Sequence, residues 1–244
     1  MYQGLQIKLP FFEIGPKAYL YGQEALKLAI YAGELSRQYG VTVIFTPQYV
    51  DIPLLAYKAK HVLVFAQHMD SLPVGRGVGS VLPEAVKAAG AAGVLLNHTE
   101  KSLPLEEIAR TIRRADEVGL ASMVCAGSME EITAIARMEP NIILAESPDL
   151  IEGKPRDDQA RQAIGKINAL VRAINPRILV LHAAGIRNAQ DVYDIIANGA
   201  QATGSTSGII KALDPYATLE AMIRAVREAW NSSHHCDEYL ENKK

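Results

Sequence analysis

Gly93-Val94-Leu95-Leu96-Asn97-His98-Thr99-Glu100 is the stretch that decides the fold: a short apolar run, readable only as a buried strand, ends directly in a histidine and a carboxylate. A second run, Ile142-Ile143-Leu144-Ala145, ends in the same way at Glu146. Two buried strands that each deliver a titratable group at their carboxyl end describe the functional face of a parallel α/β barrel. In that architecture reactive residues sit at strand ends and in the loops beyond them.

Outward from these two runs, short apolar segments alternate with longer amphipathic ones, the order that parallel strands and crossover helices produce. Strands are expected at 11–14, 41–45, 62–65, 93–96, 121–124, 142–145, 178–181 and, more weakly, 201–203. Helical periodicity covers 24–38, 83–89, 105–118, 130–137, 157–173, 189–197 and 216–230. Pro83 suits a first helical position, Asn188 suits an N-cap, and Gly40, Gly90, Gly119 and Gly199 suit the left-handed residue that ends a helix. No linker divides the chain, so one domain is expected over 1–244, with an N-terminal extension at 1–10 and a polar tail at 231–244. A doubly wound sheet shows the same alternation but needs a glycine fingerprint after its first strand, and Ile14 is followed by Gly15-Pro16-Lys17.

The length of 244 residues fits a single (β/α)8 barrel of about 250 residues, and 49% hydrophobic residues allow a sizeable core. A net charge of −2, with basic residues scattered among acids, offers no basic face for nucleic acid or an anionic membrane surface. No apolar stretch approaches a membrane span, and the opening 1–10 lacks a signal-peptide pattern, so a cytoplasmic location is expected. Cys125, within a strand, and Cys236, in the polar tail, form no disulfide framework and fit a reducing compartment. His234, His235 and Cys236 are read as solvated tail residues rather than as a metal site.

Several segments, taken in order, resemble the triosephosphate isomerase family in its shorter, archaeal-type form. They are Lys17-Ala18-Tyr19, Pro47-Gln48-Tyr49-Val50-Asp51, Phe65-Ala66-Gln67-His68-Met69-Asp70, Val81-Leu82-Pro83-Glu84-Ala85, Leu95 to Glu100, Glu146-Ser147-Pro148 and Ala184-Gly185-Ile186. The resemblance runs over about residues 12–230 and implies a (β/α)8 TIM barrel that interconverts an aldose phosphate and a ketose phosphate through an enediol. It implies Glu146 as the carboxylate base, His98 as the electrophile and Lys17 as the fixed positive charge, with no cofactor and no metal. Asn97 and Glu100 would support these groups from behind. Phosphate in such barrels is held by the loops after the last two strands, where Gly185, Arg187, Thr206, Ser207 and Gly208 stand, with Lys154 joining from the loop after Glu146. A small phosphorylated sugar is therefore the expected partner, and a homodimer or homotetramer the expected assembly.

The departures fall on substrate-gripping positions. Gly15 stands where the family usually has asparagine, Glu152-Gly153-Lys154 replaces a small phosphate-gripping turn, Arg187 replaces a serine, and Val78 replaces a threonine of an intersubunit loop. Triose phosphate is the first expected substrate and a four- or five-carbon sugar phosphate, such as erythrulose phosphate, the alternative. In another class stands a non-catalytic sugar-phosphate-binding barrel. A Schiff-base aldolase would need a lysine where Glu146 is. A metal-dependent isomerase would need His68, Asp70, His98 and Glu146 to converge on one ion. His68 is expected to hold loops or an oligomer contact, His182 to be packing or substrate rim, and Cys125 to be core.

Overall fold

A computed structural model describes residues 1–146, 150 and 158–241. Eight strands, β1 Phe11–Ile14, β2 Thr42–Phe45, β3 Val62–Ala66, β4 Gly93–Leu96, β5 Ala121–Ala126, β6 Ile142–Ala145, β7 Leu179–His182 and β8 Ala202–Ser205, close into one parallel barrel in sequence order. The ring is joined where Phe11 pairs with Ala202 on one side and Thr42 on the other. Both faces of each strand are covered, which is why most of the strands read as apolar runs rather than as alternating ones, β1 with Glu13 and the Ala-Thr-Gly-Ser of β8 being the exceptions. Phe11, Ile44, Phe65, Leu95, Met123, Leu144 and Leu181 fill the barrel interior. The intervening side chains, among them Phe12, Ile14, Val43, Phe45 and Val64, point outward into the helix layer.

The helices are α1 Gly22–Tyr39, α2 Ile52–Lys58, α3 Pro83–Ala88, α4 Leu105–Val118, α5 Met129–Ala136, α6 Asp158–Ile174, α7 Ala189–Ala197, α8 Ser207–Ile210 and α9 Pro215–Glu241. In α4 the buried residues Ile108, Thr111, Ile112 and Ala115 follow the helical repeat, and Gly119 ends the helix at φ 78°. Asn188 caps α7 through a reciprocal box with Asp191. Gly33 in α1 lies so close to the turn before β3 that a Cβ there would collide with the Lys60 carbonyl oxygen.

Three differences from the sequence reading concern helices, one of them the short α8, which has no counterpart among the expected helices. The seven-residue α2, which starts with Pro at its N-terminus, was not anticipated, and α9 continues past residue 230 to Glu241. The first ten residues are not a loose extension: Tyr2, Leu5, Ile7 and Leu9 pack against the interior cluster at the N-terminal end of the barrel. Asn141 Nδ2 donates to the Tyr2 carbonyl at 2.7 Å, tying this segment down. Among the described residues, no helix is long and apolar enough to cross a membrane.

Candidate active site

At the opposite end, where the strands finish, a cavity of about 640 Å³ is lined by Lys17, His98, Glu100 and Glu146 together with the loops after β7 and β8. Lys17 is delivered by β1, His98 and Glu100 by β4, and Glu146 by β6, and a network of backbone contacts fixes their positions.

Lys17 lies beyond β1 with φ 50°, a left-handed conformation unusual for a residue with a side chain. Its carbonyl accepts from both Gln48 Nε2 at 2.7 Å and Gln67 Nε2 at 2.9 Å, and Gln67 Nε2 also donates to the Thr46 carbonyl at 2.9 Å. The loops after β1, β2 and β3 are thereby stitched together around the lysine. Its ammonium pairs with Glu100 Oε1 at 2.6 Å.

His98 follows β4. Its Nδ1 accepts from the Glu100 backbone N–H at 3.1 Å, so the ring proton resides on Nε2. Burial, and then the Lys17 charge, hold its pKa below the usual histidine value, with Glu100 acting in the opposite sense. The imidazole is therefore neutral near pH 7 and can donate from Nε2. Asn97, one residue earlier and at φ 56°, does not line the cavity. It braces the turn instead, donating to the Cys125 carbonyl at 3.0 Å and Glu131 Oε1 at 2.9 Å while accepting from Leu103 N–H at 2.9 Å.

Glu146 follows β6, and its backbone N–H donates to the Ala126 carbonyl at the end of β5 at 3.0 Å. Residues 147–149 and 151–157 lie outside the described residues, and with them Glu152 and Lys154.

After β7, Ala184 and Gly185 both adopt positive φ, at 67° and 68°, turning the chain sharply ahead of Ile186 and Arg187. The Arg187 backbone N–H is held by Asp191 Oδ2 at 2.8 Å. Gly185, Arg187, Thr206 and Ser207 line the cavity, whereas Gly208 lies behind it, where a Cβ would come within 2.6 Å of the Ile186 carbonyl oxygen. Gly208 thus allows the loops after β7 and β8 to touch. Ser207 and Gly208 open α8, and their N–H groups precede the first intrahelical bonds.

Of the remaining histidines, His68 pairs with Asp70 Oδ1 at 3.1 Å, while Asp70 Oδ2 accepts from Val81 N–H at 2.7 Å, bracing the long loop after β3. His182 Nε2 meets Asn168 Oδ1 at 2.9 Å, a packing contact with α6 away from the cavity. Cys125 is a buried free thiol in the barrel interior. Among the described residues, no three His, Cys, Asp or Glu side chains form a group able to hold a metal ion.

Sequence reasoning gave no role to Glu13, Thr46, Gln48 or Gln67, which also line the cavity. Glu13 is inward-facing and only 7% exposed, and its Oε1 accepts from Thr46 Oγ1 at 2.9 Å. Burial pushes its pKa up to about 8; Thr46 opposes this, Glu146 adds to it and Lys17 counters it. The signal for Glu13 lay in Phe11-Phe12-Glu13-Ile14, an acid at an inward position of an otherwise apolar strand.

The family model described as Triosephosphate isomerase matches residues 16–164. Among curated proteins, the triosephosphate isomerase of Methanobacterium bryantii is 36% identical over 206 residues, covering 84% of this chain and 91% of that protein. That of Methanosarcina barkeri is 36% identical over 221 residues, covering 89% and 99%. That of Sulfurisphaera tokodaii is 34% identical over 224 residues, covering 89% and 95%.

Proposed function

The chain belongs to the triosephosphate isomerase family and is an aldose–ketose isomerase, and on that premise we propose how its own residues carry the reaction on glyceraldehyde 3-phosphate and dihydroxyacetone phosphate. Glu146 is the base that moves a proton between the two adjacent carbons. His98 donates from Nε2 to the carbonyl oxygen as the enediolate forms, and Lys17 supplies fixed positive charge. A glutamate base paired with a neutral histidine is the chemistry for which triosephosphate isomerase itself is the standard example.

What supports the reading is that Lys17, His98 and Glu146 line one cavity, and that His98 is held in a neutral form with Nε2 as its donor. A neutral ring is the better partner for a carbonyl that becomes an enediolate, because its proton need not be given up and then recovered. Asn97 and Glu100 keep His98 and Lys17 in position. The phosphate is taken by Gly185, Arg187, Thr206, Ser207 and the backbone at Gly208, with Lys154, outside the described residues, as a further cationic contact. A cytoplasmic location agrees with the free Cys125 thiol. A homodimer or homotetramer agrees with the exposed Val74 and Val78 of the loop after β3.

The test is exchange of the substrate's carbon-bound proton with solvent deuterium. The wild-type protein should exchange it on the triose phosphates, and Glu146→Gln should lower the rate by at least about a thousandfold with the fold intact. Binding without exchange in the wild type would mark a non-catalytic barrel instead.

A further inference from the structure

Glu13 takes no part in the roles just assigned, yet two glycines make room for its carboxyl at the floor of the cavity. A Cβ at residue 15 would lie 2.8 Å from Glu13 Oε1, and one at residue 204, the β8 partner of Glu13, would lie 3.0 Å from Oε2 and 2.9 Å from its Cβ. A side chain at either position would therefore displace the carboxyl or be displaced by it. Thr46 Oγ1 donates to Oε1, and among the described residues Oε2 has no hydrogen-bond partner. A carboxyl in an apolar barrel without a directly bonded cation is held as the neutral acid, so Oε2 carries a proton it can donate.

We propose that Glu13 is a further catalytic residue: a neutral carboxylic acid that donates from Oε2 to an oxygen of the bound enediolate, in the space that Gly15 and Gly204 leave open. The inference rests on the isomerase reading. An enediolate has oxygens on two adjacent carbons, and negative charge builds on each in turn as the proton moves. His98 serves one of them; Glu13 serves the other from below. Its proton stays on Glu13 throughout, while Glu146 carries the carbon-bound proton, so the two carboxyls have distinct jobs. The neutral state also keeps a second negative charge away from the enediolate and the phosphate. The groups facing Glu13 from the neighbouring elements are Thr46 after β2, Glu146 after β6, Lys17 after β1 and the Cys125 thiol of β5.

The experiment measures kcat and KM for glyceraldehyde 3-phosphate from pH 6 to 10 with the wild type, Glu13→Gln and Glu13→Leu. Removing one such donor costs about a hundredfold in rate, so Glu13→Leu should lose at least about tenfold in kcat with a smaller change in KM. Glu13→Gln, which keeps a donor, should lose less. The wild-type kcat/KM should fall above about pH 8 as Glu13 ionises, and Glu13→Gln, whose amide cannot ionise, should lack that fall. A folded Glu13→Leu with wild-type kcat, or a Glu13→Gln that keeps the same alkaline fall, overturns the proposal; if the leucine variant does not fold, the pH comparison decides by itself. Wild-type protein that exchanges no carbon-bound proton on any sugar phosphate overturns the isomerase reading and this inference with it. Normal wild-type exchange beside an inert Glu13 substitution overturns this inference alone.

Discussion

Glu13 also couples stability to pH, with a sign opposite to that of a salt-bridged carboxylate. Its pKa is raised from 4.5 to about 8 in the fold. Between those values the folded chain holds a proton that the unfolded chain has released, so stability falls as pH rises through this window and the penalty is complete above it. At about 1.4 kcal/mol per tenfold change in proton activity, the penalty amounts to a few kcal/mol. Glu13→Gln is therefore expected to be more stable than wild type in urea melts at pH 8.5 and by much less at pH 5; an equal offset at both values would sink this account. Asn97 acts through position. Asn97→Ala removes three hydrogen bonds at a left-handed residue, worth about 1 kcal/mol each. It should lower both the melting temperature and kcat while leaving KM nearly unchanged, since His98 loses its support but the phosphate loops do not. At this scale the sequence displayed His98 and Glu146 because each follows an apolar run, whereas Lys17, set off from β1 by Gly15 and Pro16, came only from the family resemblance. The parts of Gln48 and Gln67 were hidden, since both depend on the backbone angle of Lys17, which no residue pattern announces.

Elements were easier to read than side-chain contacts. Most strands were visible because a barrel strand is buried on both faces and tends to be continuously apolar, β8 being the weak one because it reads Ala-Thr-Gly-Ser, and the observed ends differ by only a residue or two from the expected ones. The helix α2 is not legible because Ile52-Pro53-Leu54-Leu55-Ala56-Tyr57-Lys58 is too short to show a period. The end of α9 is not legible because Asn231-Ser232-Ser233-His234-His235 has no apolar repeat, although it continues a helix already begun. Gly33 provides a test of how elements pack. Alanine within a helix is usually favoured over glycine by about 1 kcal/mol, but here its methyl group would strike the Lys60 backbone, which cannot swing aside as a side chain would. Gly33→Ala should therefore destabilise the protein by about 2 kcal/mol or more, the range of overpacked cores. A thermal melt showing the ordinary alanine gain would refute the close packing of α1 on the turn before β3.

For the molecule as a whole, the barrel has two dissimilar ends: one open to substrate and one stoppered by residues 1–10. That the N-terminal segment is a stopper could not be seen in the sequence, since Leu5, Ile7 and Leu9 show alternation without a partner strand to explain it. Deleting residues 1–8 should lower the melting temperature by at least about 5 °C, given roughly 2–4 °C per kcal/mol for a chain of this size, and should leave KM almost untouched because the cavity is at the far end. The packed interior has one more consequence, carried by Cys125. Its sulfur is buried beside Glu13 and Glu146 beneath the cavity floor, so an alkylating reagent reaches it only when the packing at that end of the barrel opens. The rate at which iodoacetamide tags the peptide bearing Cys125, followed by mass spectrometry separately from Cys236, is then a clock for opening at the substrate end of the barrel.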